Sequence, residues 1–162
     1  MQKITPCLWY DNQAEEAAQF YTSIFKNAKI GKTLRYDKAS AEVSGQKEGS
    51  VLTVEFTILG QDFLAMNGGP IFKFTEAVSF MVPCADQKEV DELWEKLTAD
   101  GGSESQCGWL KDKFGLSWQI VPTRLTELLS GPDPKKAQGA MKAMLTMQKI
   151  VIADIEKAAA GE

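Results

Sequence analysis

The sequence contains no histidine. Histidine is the commonest general base near neutral pH and the commonest side-chain ligand of transition metals. Its absence excludes Ser-His-Asp and Cys-His nucleophilic centres, HExxH zinc sites and every His-ligated iron or copper centre. Chemistry in this chain would have to use carboxylate, thiol, amide, lysine, phenol or a bound cofactor. Cysteine is scarce as well. Cys7, Cys84 and Cys107 are odd in number and none forms a CxxC pair, so neither a disulfide framework nor a structural zinc is expected. No GxGxxG turn occurs, which leaves no glycine-rich cradle for a nucleotide cofactor. No stretch approaches the roughly 18 apolar residues of a membrane span. The opening MQKITPCLWYDN has no signal-peptide apolar run. A cytoplasmic protein without a membrane partner is the expectation. A net charge of −4 and a pI near 5.0 leave no basic footprint for nucleic acid.

What is present is the mixture of an ordinary globular protein: 162 residues, 44% hydrophobic and 25% charged, enough for one domain or two very small ones. Asn12 with Glu15 three residues on reads as a capping box. The apolar stripe Ala14, Ala17, Ala18, Tyr21, Ile24, Phe25 follows it at helical spacing. A second helix opens at Asp86 with Glu89, carries Val90, Leu93, Trp94 and Leu97, and ends at Gly101-Gly102. A third opens at Asp133-Pro134 and presents Ala137, Ala140, Met141, Met144 and Leu145. Shorter helical pieces are predicted over 123–130 and 153–160. Strands are predicted over 4–10, 30–36, 51–58, 63–67, 77–83, 105–110 and 116–121. Within Thr53–Ile58 the alternation is strict: Val54, Phe56 and Ile58 should face a core, and Thr53, Glu55 and Thr57 the other side. Leu59–Asp62 and Lys111–Gly115 read as hairpin turns, and the polar stretch 37–49 as a surface loop.

The chain also repeats. Shifted by 73 residues, the helix of Ala17, Phe20-Tyr21 and Ile24 lies over Val90, Leu93-Trp94 and Leu97, and the strand 4–10 over 77–83. Each half reads as strand, helix and a run of strands. The implied fold class is α+β: two βαβββ modules, about 1–68 and 76–122, forming a curved mixed sheet around a cup. Residues 123–162 would be a helical extension of the same domain. A cup of that kind is the default ligand site.

This βαβββ repeat resembles the vicinal oxygen chelate superfamily, which includes glyoxalase I, extradiol dioxygenases and bleomycin-resistance proteins. The resemblance covers about residues 2–122. Cys107-Gly-Trp-Leu-Lys-Asp-Lys-Phe-Gly-Leu-Ser-Trp-Gln-Ile-Val-Pro122 carries it most sharply, with Ile4–Tyr10, Phe20-Tyr21 and Asn67-Gly68-Gly69. These residues resemble the PhnB-like subgroup, often labelled 3-demethylubiquinone-9 3-methyltransferase. In the metal-dependent relatives, four ligands come from the first and last strands of each module. Carried over by position, these fall on Pro6, Ser79, Gln119 and a residue within 64–67. Proline has no donor, and serine and an amide are poor ligands without imidazole or carboxylate beside them. The resemblance therefore implies a site without metal, and no cofactor is expected.

The candidate site residues each carry an alternative. Glu55 is either an acid–base group in an apolar cup or a solvated carboxylate on a half-open sheet. Ser79 and Gln119 either orient a ligand or simply fill a degenerate site. Trp109 and Trp118 are read as a pocket wall or as core, and Met81 as a further pocket residue. Asn67 is either a turn former or a pocket amide. Trp9 is expected to pack against its helix. Cys107 is a nucleophile without an evident base, or an inert thiol, and Cys7 and Cys84 read as structural. Met141, Met144 and Met147 form a packing face or cover the cup or a second subunit. Three functions remain open. The first is metal-independent binding of an unidentified small aromatic or carbonyl-containing molecule, with the chain acting as a homodimer. The others are an enzyme using Glu55, and methyl transfer to a quinone.

Overall fold

The computed structural model describes residues 4–162. The chain divides into two compact units, Met1–Lys73 and Phe74–Glu162. Each holds a β-α-β-β-β succession, and hydrogen bonding gathers its strands into one four-stranded mixed sheet. The α+β reading of two βαβββ modules and a helical tail therefore stands.

In the first unit, β1 (Cys7–Tyr10) runs parallel to β4 (Gln61–Asn67). β4 pairs antiparallel with β3 (Val51–Ile58), and β3 with β2 (Lys29–Arg35). The alternation of β3 divides its two faces as expected, with Val54, Phe56 and Ile58 buried and Glu55 exposed. Leu8, Tyr10, Phe63 and Ala65 join the buried side. Helix α1 (Ala14–Ile24) covers it with Ala14, Ala17, Ala18 and Tyr21. Tyr21 stacks on Phe56, and Phe56 on Phe63. Each of these large side chains contributes about 1.5–3 kcal/mol on burial.

Two local readings change here. The start of α1 is not capped by Asn12. The Ala14 amide donates instead to Asn67 Oδ1 at 2.8 Å, because the parallel pairing of Tyr10 with Asn67 sets that side chain beside the helix start. The stretch 37–49 is not all loop, since it contains α2 (Lys38–Ser44). Asp37 and Ser40 form a reciprocal capping box there, and the Ser40 hydrogen bonds hold the Asp37 carboxyl below its usual range. Only Ala41 of α2 is buried, so no apolar periodicity announced the helix.

The second unit repeats the plan. β5 (Ser79–Cys84) runs parallel to β8 (Ser117–Pro122), β8 pairs antiparallel with β7 (Trp109–Lys111), and β7 with the short β6 (Ser103–Glu104). The single strand expected over 105–110 is interrupted by a turn in which Cys107 has φ 59°. Helix α3 (Gln87–Thr98) buries Val90, Leu93, Trp94 and Leu97, as its stripe predicts. Asp86 caps the Glu89 amide at 2.9 Å, and the Glu89 carboxylate accepts from Ala85 N at 2.8 Å.

The tail belongs to this unit as α4 (Thr123–Ser130), α5 (Pro134–Met144) and α6 (Ile152–Ala160). Leu125, Leu128, Ala140, Ile150, Ile155 and Ala159 form its core. The α5 face is turned from the one expected: Ala140 is buried and Met144 and Met147 pack, whereas Met141 and Leu145 are exposed. Backbone bonds from Cys107 N to Met147 O and from Gly108 N to Gln148 O, both 2.7 Å, tie the tail to the strand region. Among the described residues no helix is long and apolar enough to cross a membrane.

Candidate functional site

The pairing of strands fixes which side chains share the face of each sheet turned away from its helix. In the second unit one row across that face is Ser103, Lys111, Ser117 and Ser79. The next holds Trp109, Gln119 and Met81. Gln119 Nε2 donates to Ser79 Oγ at 2.8 Å, and both residues are half-buried. Met81 is exposed beside them. Lys111 makes an ion pair with Glu76, which holds the Glu76 carboxyl below its usual range. Four of the expected pocket residues, Ser79, Met81, Trp109 and Gln119, are thus brought together.

Trp118 is not among them. It pairs with Leu110 and Phe80 on the opposite face, is 2% exposed, and its Nε1 donates to Asp112 Oδ2 at 2.9 Å. The same Asp112 carboxylate accepts the Phe114 and Leu116 amides at 2.9 and 3.0 Å. A buried carboxylate thus closes the β7–β8 hairpin and locks Trp118 into the core. Strand parity decides the matter, since neighbouring residues cannot share a face.

In the first unit the corresponding rows are Lys29, Thr57 and Asp62, and then Glu55, Leu64 and Cys7. Lys29, Thr57, Asp62, Glu55 and Leu64 line a concavity of about 580 Å³ together with Thr5 and Gly31. Thr57 Oγ1 donates to Asp62 Oδ1 at 2.6 Å. The β2 strand is irregular between Ile30 and Thr33, and Glu55 Oε2 accepts the Lys32 amide across that irregularity at 3.4 Å. Glu55 is exposed, so the carboxylate lies on a solvated face, not in an apolar cup. Asn67 is buried away from this face. Beyond capping α1, it donates from Nδ2 to Val51 O at 3.0 Å, and its carbonyl accepts from Tyr36 OH at 2.6 Å.

Trp9 also differs from expectation. Leu8 and Tyr10 point to α1, so Trp9 points away from it, packing edge-on against Phe72 and donating to Gly69 O at 2.8 Å. Gly68 lies directly against the indole, where any Cβ would overlap it. The Asn67-Gly68-Gly69 run is therefore a cap, a close approach and a turn in succession.

The repeat offset needs one correction. Between the helices it is 73, Ala17 to Val90, but the first strands match at 74, Leu8 to Val82 and Tyr10 to Cys84. A slip of one residue reverses every strand side chain. The counterpart of Ser79 is then Thr5, not Pro6. Cys7 pairs with Leu64 as Met81 pairs with Gln119, so Leu64 is the counterpart of Gln119. The four positions at which the resemblance places metal ligands therefore hold Thr5, Leu64, Ser79 and Gln119. Two hydroxyls, an amide and an aliphatic chain do not fit a divalent transition metal. Thr5, Lys29 and Asp62 escaped sequence reading, and only the correct strand offset could have shown Thr5.

Burial pushes the Cys84 thiol up to about 12, with Glu89 and Asp86 adding to it, so it stays protonated. Burial raises Cys7 as well, although Cys7 stands on the exposed face of β1. Cys107 is half-buried, its amide held by the tail.

Paired βαβββ modules define the fold of the glyoxalase/bleomycin-resistance superfamily. The chain belongs to the family described as 3-demethylubiquinone-9 3-methyltransferase, whose family model matches residues 2–121. It is 37% identical to the PhnB protein from Bacillus cereus, over 75% of this chain and 99% of that one, with a TM-score of 0.65. Protein PA1353 from Pseudomonas aeruginosa shares the fold at 16% identity, with coverage of 75% and 98% and a TM-score of 0.59. The fosfomycin resistance protein FosX from Listeria monocytogenes shares it at 17% identity, with coverage of 75% and 93% and a TM-score of 0.50. No curated protein matches the chain.

Proposed function

We propose that the chain binds a small organic molecule on the helix-free faces of its sheets through neutral polar groups, without a metal. The observation that carries this reading is the Gln119–Ser79 hydrogen bond. It joins an amide and a hydroxyl at two positions where metal-dependent relatives would place ligands. Gln119 keeps its carbonyl and one N–H for a ligand, and Ser79 a proton to donate. Trp109 in the same row supplies a flat apolar wall. Burial of an aromatic or carbonyl-containing ligand against such a surface needs no charge and no imidazole.

A catalytic role for Glu55 is the second reading, favoured by its place in the concavity of the first unit. Methyl transfer draws less support than the family description suggests. The turns that follow the parallel strands β1 and β5 are Asp11-Asn12-Gln13 and Ala85-Asp86, without the glycines on which such cofactors usually sit.

Thermal-shift screening of aromatic and carbonyl-containing metabolites separates these readings. The binding reading expects a ligand whose stabilisation survives chelator treatment and falls about tenfold or more in affinity in Gln119→Leu and Ser79→Ala. Glu55→Gln would bind as wild type. Stoichiometric zinc, nickel or iron in the purified protein, with binding lost on chelation, would sink it. Stabilisation by millimolar S-adenosylmethionine would restore the methyltransferase reading.

A further inference from the structure

The row Ser103–Lys111–Ser117–Ser79 contains an unsatisfied group. Ser117 is 1% exposed, and its Oγ has no hydrogen-bond partner among the described residues. A buried hydroxyl left unpaired costs about 1–3 kcal/mol, so native proteins rarely leave one without a reason. Ser117 lines a recess of about 170 Å³ with Trp109, Lys111, Ser103 and Glu76. Strand pairing sets Ser117 directly beside Lys111 on the same face.

Lys111 already holds a carboxylate, but a loosely anchored one. Glu76 lies on the irregular segment before β5, and its side chain is 62% exposed. An exposed pair of this kind contributes about 0–1 kcal/mol, so exchanging Glu76 for another carboxylate is nearly neutral. The other acid of the recess, Glu104, is engaged by Trp94 Nε1 at 2.7 Å. An incoming carboxylate could take the Lys111 ammonium with one oxygen and the Ser117 hydroxyl proton with the other. Glu76 has left that proton unclaimed. The half-buried Trp109 stands two residues along β7 on the same face and would carry a planar group. The recess has room for about six water volumes, the size of one small ring acid.

We infer that this recess is a subsite for the carboxylate of a small planar acid, with Glu76 as a displaceable occupant of Lys111. The inference rests on the binding reading above and narrows its ligand. Benzoate and its neutral counterpart benzamide are the probes, titrated into the full chain and followed by tryptophan fluorescence and by amide shifts of β7 and β8. Benzoate should bind at millimolar concentration and benzamide at least threefold more weakly. Glu76→Gln should tighten benzoate about threefold or more and leave benzamide unchanged. Lys111→Met should abolish the preference for benzoate. Ser117→Ala should weaken benzoate without lowering the melting temperature of the free protein. Equal binding of the two probes, or benzoate binding that Glu76→Gln leaves unchanged or weakens, would overturn the subsite. If Ser79→Ala and Gln119→Leu abolish the response while Glu76→Gln and Lys111→Met do not, the subsite fails and the wider binding face survives. No saturable response to either probe removes the subsite as well. The wider reading then falls only if the metabolite screen also fails.

Discussion

Asn67 shows how much one side chain can settle. Its Oδ1 receives the first amide of α1, its Nδ2 reaches Val51 O, and its carbonyl accepts the Tyr36 hydroxyl. Truncation would leave a buried N–H and a C=O without partners, at about 1–3 kcal/mol apiece. Asn67→Ala is therefore expected to lower stability by about 2–6 kcal/mol in urea unfolding, whereas Asn12→Ala should stay within about 0.5 kcal/mol. Equal effects would return the cap to Asn12. The sequence shows an asparagine before two glycines, which is a turn signal. It cannot show that the amide reaches back 53 positions to a helix start, because that contact exists only once β1 and β4 pair. Trp118 was hidden in the same way. Its neighbour Gln119 points to one face and Asp112 secures the indole on the other, and neither fact is visible until the strand is placed.

At the scale of elements, what was legible was whatever repeats along the chain. The stripes of α1 and α3, the alternation of β3 and the caps at Asp86 and Asp133 carry their own periodicity or local chemistry. The one-residue difference between the two β-to-α turns was not legible. It leaves the helices in register and flips the first strand, which moved a site position from Thr5 to Pro6. Helix α5 illustrates a second limit. Its apolar residues surround more than one face, and the choice between them is made by Gly139. That glycine lies against the α6 backbone, where a Cβ would overlap the Ala158 carbonyl. Helix propensity alone would have Gly139→Ala stabilise by about 1 kcal/mol. Backbone overlap should win, because carbonyls of a packed helix cannot step aside as a flexible side chain can. We expect Gly139→Ala to lower stability by about 1–3 kcal/mol, the range for overpacking. A rise in melting temperature would show that α5 and α6 separate freely.

For the whole chain, the family model ends at residue 121, so the three tail helices are an addition to the paired modules. Their attachment is specific. Gln87 Nε2 donates to Ile150 O and to Asp91 Oδ1, and Gln87 Oε1 accepts the Ile152 amide, so one amide side chain clasps both ends of the turn into α6. Lys149 adds an ion pair to Asp91 at 2.6 Å. Gln87→Ala should speed hydrogen exchange at α6 and at Cys107 and Gly108 by about tenfold or more. The amides of Val54 and Phe56 in the first unit should keep wild-type protection. The same clasp sets a pH dependence. The Lys149 and Gln87 hydrogen bonds hold the Asp91 carboxyl below its usual range. A carboxyl lowered on folding stabilises the folded state above its ordinary value, about 3.9, and that contribution fades as pH falls through the lowered one. Tail amides should thus lose protection below about pH 4 ahead of β3, and Asp91→Asn should remove that acid-dependent difference. Uniform loss across both units would mean that the tail unfolds with the rest and that the clasp does not govern it.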